Sequence, residues 1–267
     1  MNRIDQRFRT LRAMKQKGFI AYIGAGDPNL KATAALALAF ERAGVDVLEL
    51  GVPFSDPLAD GVVNQLAADR GLRSGTTLNK VLKTVSALRK RNCQIPVVLY
   101  IYFNLVHRHG AKRFARAAAA AGVDGVLALD LPPEEAGAYE EAMKRAGVHP
   151  IYLIAPTTPE ERIRKIARHA SGFIYYVSRE GVTGMQKSVA ASIKPMVHRI
   201  RKHSKLPVAV GFGISTPQQA RRVAQTADAV VVGSAIVNQI AKLGKDRRLV
   251  EKVSRYVAAM VKAVKPA

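Results

Sequence analysis

Residues 31–51 read KATAALALAFERAGVDVLELG, and the order of patterns within them decides the fold. Residues 31–43 form an amphipathic stretch with apolar side chains at helical spacing. The Ala-Gly-Val at 43–45 caps that helix with glycine and begins the next segment on an apolar residue. VDVLELG then alternates, as a short strand does. The same hand-over recurs at 121–123 and 146–148. Working outward, strands are expected at 18–23, 47–51, 96–102, 125–129, 149–154, 172–177, 207–211 and 229–232. Helices are expected at 31–43, 77–91, 112–121, 133–146, 159–170, 189–203, 217–226 and 247–264. Eight βα units of about thirty residues predict an α/β fold, a single (β/α)8 TIM barrel domain over 1–267. An extra N-terminal helix would carry Ile4, Phe8, Leu11 and Met14 on one stripe. An open doubly wound sheet is the alternative, but GAGDPN at 24–29 lacks the third glycine of a dinucleotide fingerprint.

The totals narrow the function. No apolar run reaches the roughly 18–20 residues that span a membrane. The N-terminal residues lack the apolar block of a signal peptide. Cys93 is the only cysteine, so no internal disulfide forms and the thiol reads as a small core residue. A reducing cytoplasm is the compartment that fits. With 42 Lys+Arg against 20 Asp+Glu the formal net charge is +22, which favours anionic ligands. The basic residues are spread over 7–17, 89–91, 162–168 and 199–205, with no nucleic-acid-binding signature beside them. They read as solvated helix faces.

In a barrel of this kind the active site lies at the C-terminal ends of the strands. The polar and glycine-rich segments after the expected strands would therefore gather on one face. Glu49 shares a strand face with Val47 and Gly51, pointing into the barrel mouth, where desolvation suits a carboxyl to proton transfer. A structural acid paired with a buried cation is the other reading. Asp60 follows in a loop with Pro53, Pro57 and Gly61, as a second acid or a turn former. GFGIS at 211–215 and GSAI at 233–236 follow the seventh and eighth strands, where barrels commonly hold phosphate on backbone N–H groups. Gly184 in REGVTG can add a third wall. The six histidines are isolated or surface-like, with His107 and His109 in a basic loop, and no metal-ligand cluster or Ser/His/Asp arrangement stands out. Lys187 lies in a polar loop, a poor place for a Schiff-base lysine.

Several segments together resemble the tryptophan synthase alpha subunit: FIAYIGAGDPN at 19–29, LELGVPFSDPLADG at 48–61, 98–104, LDLPPEE at 129–135, SREGVTG at 178–184, VGFGIS at 210–215 and GSAIV at 233–237. The likeness runs over nearly the whole chain. It implies retro-aldol cleavage of indole-3-glycerol phosphate to indole and glyceraldehyde 3-phosphate, without metal or organic cofactor. By matching, Glu49 is the general acid/base and Asp60 accepts the indole N–H. Tyr175 and Thr183 support the site and a closing loop at 178–187. Tyr22, Tyr100, Leu127, Leu129, Leu153, Phe212 and Val231 wall the indole pocket, and Gly184, Gly213, Gly233 and Ser234 cradle the phosphate. The resemblance also implies a beta-subunit partner containing pyridoxal phosphate, in an alpha2beta2 heterotetramer, with Asp56, Pro57 and Asn104 in the contacting loops. Departures from the usual family pattern are Tyr22, Tyr100, Leu129, Val62 and Asn64. The two added hydroxyls need partners or they weaken binding. A weakly active activator of a beta subunit, or another phosphate-sugar lyase or isomerase, are the alternatives.

Overall fold

The computed structural model describes residues 1–178, 188–211 and 213–265. Eight strands pair in parallel and close into a barrel in the order β1 to β8. They are β1 Gly18–Gly24, β2 Val47–Gly51, β3 Val97–Ile101, β4 Gly125–Ala128, β5 His149–Ile154, β6 Ile174–Val177, β7 Val208–Gly211 and β8 Ala229–Val232. The closing pair runs from β1 to β8, with Gly18 opposite Ala229 and Ile20 opposite Val231. The barrel excludes the open-sheet alternative.

The helices are α1 Arg3–Ala13, α2 Leu30–Arg42, α3 Val62–Arg73, α4 Leu78–Lys90, α5 Phe103–His109, α6 Ala111–Ala121, α7 Gly137–Ala146, α8 Glu160–His169, α9 Ser188–His203, α10 Pro217–Ala224, α11 Ser234–Leu243 and α12 Leu249–Val264. Three of them, α3, α5 and α11, were not expected from periodicity. His107 and His109 therefore lie on a helix, α5, and not in a loop. The Ala-Gly-Val signals do cap helices: Gly122 and Gly147 close α6 and α7 in the left-handed region.

Strand alternation sorts the apolar side chains into two cores. Leu48, Leu50, Leu99 and Val126 face outward under the helices. Val47, Val98, Leu127, Ile151 and Phe173 fill the barrel interior. Helix α1 plugs the lower end with Ile4, Phe8 and Leu11, and small residues make room for it. A Cβ on Gly125 would sit 3.0 Å from Ile4, and one on Gly18 3.2 Å from Leu11. Met14 falls off the apolar stripe and is exposed, because the helix ends at Ala13.

Three aspartates set the lower rim. Asp46, Asp124 and Asp228 accept the backbone N–H groups of Phe19, Val97 and Val208 on neighbouring segments. Each is matched by cations: Lys265 for Asp46, Arg3 and Arg89 for Asp124, Arg201 for Asp228. Arg89 is not part of a solvated face. Its guanidinium is mostly buried and donates to the carbonyls of Gly122, Cys93 and Ile95 as well as to Asp124.

Candidate active site

The upper mouth of the barrel holds a cavity of about 360 Å³ into which both acids project. Glu49 reaches it from β2, where its neighbours in sequence, Leu48 and Leu50, are committed to the outer core. Its side chain is 1% exposed and its Oε1 has no hydrogen-bond partner. Burial, and after it the charge of Asp60, pushes the Glu49 carboxyl up to about 8. Among the described residues no cation pairs with it, so the structural-acid reading lacks its partner there, and burial favours the protonated carboxyl.

Asp60 stands on the loop between β2 and α3 and is half-buried. Two phenols from β3 and its end hold it. Tyr100 donates to Oδ1 at 2.7 Å and Tyr102 to Oδ2 at 2.9 Å. Asn64 donates to Oδ1 at 3.4 Å. The Tyr102 hydroxyl in turn accepts the N–H of Ala59 at 3.0 Å, which ties the loop to the barrel. Tyr102 was not singled out from the sequence, although its two-residue spacing from Tyr100 signals a shared direction. The loop continues into α3, which is anchored by a bidentate pair from Arg70 to the buried Asp27, both distances 2.8 Å.

The aromatic and aliphatic walls come from alternate strands. Tyr22, Tyr100, Leu129, Leu153, Tyr175 and Val231 line the cavity. Tyr22 meets Tyr100 edge-on with ring centroids 5.0 Å apart. Its hydroxyl lies over Gly51, where any Cβ would collide with it. Tyr175 likewise leans over Gly211, whose Cβ would stand 2.8 Å from the phenol oxygen. Burial and the nearby Glu49 keep the Tyr175 phenol protonated by raising it well above its ordinary range. Leu127 does not reach the cavity. It sits two residues below Leu129 on β4 and is fully enclosed in the barrel interior.

At the far side of the cavity lie Gly213, Gly233 and Ser234. Gly213 has φ +68°, a left-handed conformation that suits glycine. Gly233 is the N-cap of α11 and Ser234 its first residue, so the first N–H groups of this helix lack intrahelical partners. That supplies an anion-binding end. Thr183, Gly184, Lys187, Phe212 and all of 178–187 beyond Ser178 lie outside the described residues. Asp56, Pro57 and Asn104 do not line the main cavity. Asp56 and Asn104 are exposed, Asn104 in the first turn of α5, and Pro57 packs behind Asp60 beside Tyr102.

Among the described residues no group of three or more His, Cys, Asp or Glu could hold a metal. Folding does assemble one Ser/His/Asp set that the sequence concealed. His149 lies 2.9 Å from both Ser171 Oγ and Asp5 Oδ2. It docks α1 at the lower end of the barrel, away from the mouth.

A closed parallel barrel whose mouth brings together a buried acid, a second acid and a helix start with free N–H groups has the parts an acid–base enzyme for an anionic substrate needs. The family model described as "Tryptophan synthase alpha chain" matches residues 8–265. The chain belongs to that family. It is 52% identical over 266 residues to the tryptophan synthase alpha chain of Opitutus terrae, covering 99% of this chain and 100% of the relative. The crystal structure of tryptophan synthase subunit alpha from Legionella pneumophila superposes with a TM-score of 0.92 at 38% identity, covering 99% of this chain and 98% of that one. A structure of the tryptophan synthase a2b2 complex from Pyrococcus furiosus superposes with a TM-score of 0.84 at 35% identity, covering 92% of this chain and 98% of that one.

Proposed function

We propose that this chain cleaves indole-3-glycerol phosphate to indole and glyceraldehyde 3-phosphate, as the alpha part of a tryptophan synthase. The observation that carries the reading is Glu49: a buried carboxyl with an unpartnered oxygen, in one cavity with Asp60 and a glycine-lined helix start. Glu49 enters the reaction as the acid, because its proton is retained at neutral pH. It protonates carbon 3 of the indole, and positive charge develops on the ring nitrogen. Asp60 accepts the indole N–H and stabilises that charge. The Glu49 carboxylate then removes the proton of the side-chain hydroxyl nearest the ring. The carbon–carbon bond breaks, its electron pair restores the indole, and the aldehyde leaves. Glu49 ends protonated, so one side chain carries both transfers. The scheme asks for no metal or organic cofactor.

Gly213, Gly233 and Ser234, with Gly184, would hold the phosphate. Tyr22, Leu129, Leu153, Val231 and Phe212 would enclose the ring. Tyr175 and Thr183 would support the site, and 178–187 would close over it, excluding water. A pyridoxal phosphate-containing beta subunit is the proposed partner, in an alpha2beta2 assembly and a cytoplasmic setting. Supporting this, Leu58, which follows Asp56 and Pro57 in the chain, and Val62 and Leu66 of α3 leave apolar side chains 93%, 69% and 53% exposed.

The test is indole release from indole-3-glycerol phosphate by the purified chain, alone and with a tryptophan synthase beta subunit, against Glu49→Gln. Release that vanishes in the variant and rises with the partner is expected. A folded wild-type chain that releases no indole in either condition overturns the reading.

A further inference from the structure

The hydrogen bonds around Asp60 do more than fill space. The carboxylate has about four acceptor sites. Tyr100 and Asn64 occupy Oδ1, and Tyr102 occupies one site of Oδ2. Among the described residues nothing takes the second site of Oδ2. Both phenols are raised above their ordinary range, first by burial and then by the charge of Asp60, so each hydroxyl is the donor in its bond. The two tyrosines differ in what else they do. Tyr102 also accepts from Ala59 and stacks on Phe54 with centroids 5.1 Å apart, so it serves the loop as a whole. Among the described residues the Tyr100 hydroxyl bonds to Asp60 alone, and the Tyr100 ring is braced by Tyr22. Gly51, paired with Tyr100 in the sheet, leaves the space that Tyr22 needs for this bracing.

We propose that Tyr100 is a positioning residue for the cleavage reaction, fixing the Asp60 carboxylate so that its remaining acceptor site meets the indole N–H. This inference rests on the function proposed above. Asp60 stands on a long loop, and an acid there loses conformational freedom when it engages substrate. A bond from a rigid barrel strand removes that cost beforehand. The contact between Asp60 and the ring nitrogen strengthens as charge builds on the nitrogen. Loss of its alignment therefore acts mainly on the transition state, and so on kcat.

Tyr100→Phe removes one oxygen and keeps the ring. The expected result is a fall in kcat for indole release of about tenfold, with KM changed less than about threefold. A second readout separates positioning from cavity shape. Two non-cleavable phosphorylated inhibitors are compared, one carrying an indole ring and one a benzofuran ring, which has no N–H to give. Tyr100→Phe is expected to weaken the indole inhibitor by about two- to threefold, in line with the small change in KM, and leave the benzofuran one unchanged. Equal weakening of both, or a kcat equal to wild type, overturns the proposal. A wild-type enzyme that releases no indole would instead sink the function itself, and the two failures are distinct.

Discussion

Replacing Glu49 by Gln should remove the reaction and stabilise the folded protein at alkaline pH. The magnitude follows from the carboxyl's displacement from 4.5 to about 8. At about 1.4 kcal/mol per unit this sets an upper bound of about 5 kcal/mol. Water drawn in on ionisation relaxes the site, and about 2–3 kcal/mol is expected. The sign is that of a raised acid. Below pH 4.5 the group is protonated in both folded and unfolded chains, and its stabilising contribution is complete. Between 4.5 and about 8 the unfolded chain ionises while the folded one retains its proton, so wild-type stability falls as pH rises. Above about 8 the loss is complete. Glutamine has no such proton to lose. The difference between variant and wild type should therefore grow across that window and level off on either side. Urea unfolding followed by circular dichroism at pH 5, 6.5 and 8.5 measures it. A difference that stays constant over the three pH values would refute the claim that burial keeps Glu49 protonated.

Three further outcomes follow from the same geometry. The kcat for indole release should decline above pH about 8, because ionised Glu49 has no proton to give to carbon 3, and a pH profile measures this. Arg89→Met should cost about 3 kcal/mol, since it takes away one of the two cations at the buried Asp124 and a donor to three carbonyls, and chemical denaturation would record the loss. Gly51→Ala should push Tyr22 off its seat into the ring-binding cavity, raising KM by an order of magnitude or so while the barrel stays folded by circular dichroism.

The barrel was legible because its signals are local. The termini of β2, β5 and β8 fall where the sequence pattern places them, with a glycine preceding β2 and β5, and the interior face of β2 follows from parity alone. Helices α3, α5 and α11 escaped notice for the converse reason. They stand directly after the loops of the mouth, and the glycines and polar residues at their starts read as loop. Leu127 and Leu129 share a parity, so nothing in the sequence says which of them faces substrate. Depth along the barrel axis decides that, and depth is a property of the closed sheet.

The two acids and their order on the chain were therefore written in residues 48–61, and the glycines of the anion end in 211–215 and 233–236. Their working state was not. The Glu49 carboxyl is pushed up because eight strands close around it and bury it near the charge of Asp60, which no stretch of sequence can report. Asp60 is held because β3 brings Tyr100 and Tyr102 to a loop about forty residues earlier in the chain. Arg89 reads as a surface cation in its own helix and becomes a buried tie only when β4 and its aspartate arrive beside it. Local pattern settles which elements form and which way their side chains point. Desolvation and hydrogen bonding between distant segments depend on closure, and they set the protonation, the alignment and hence the chemistry.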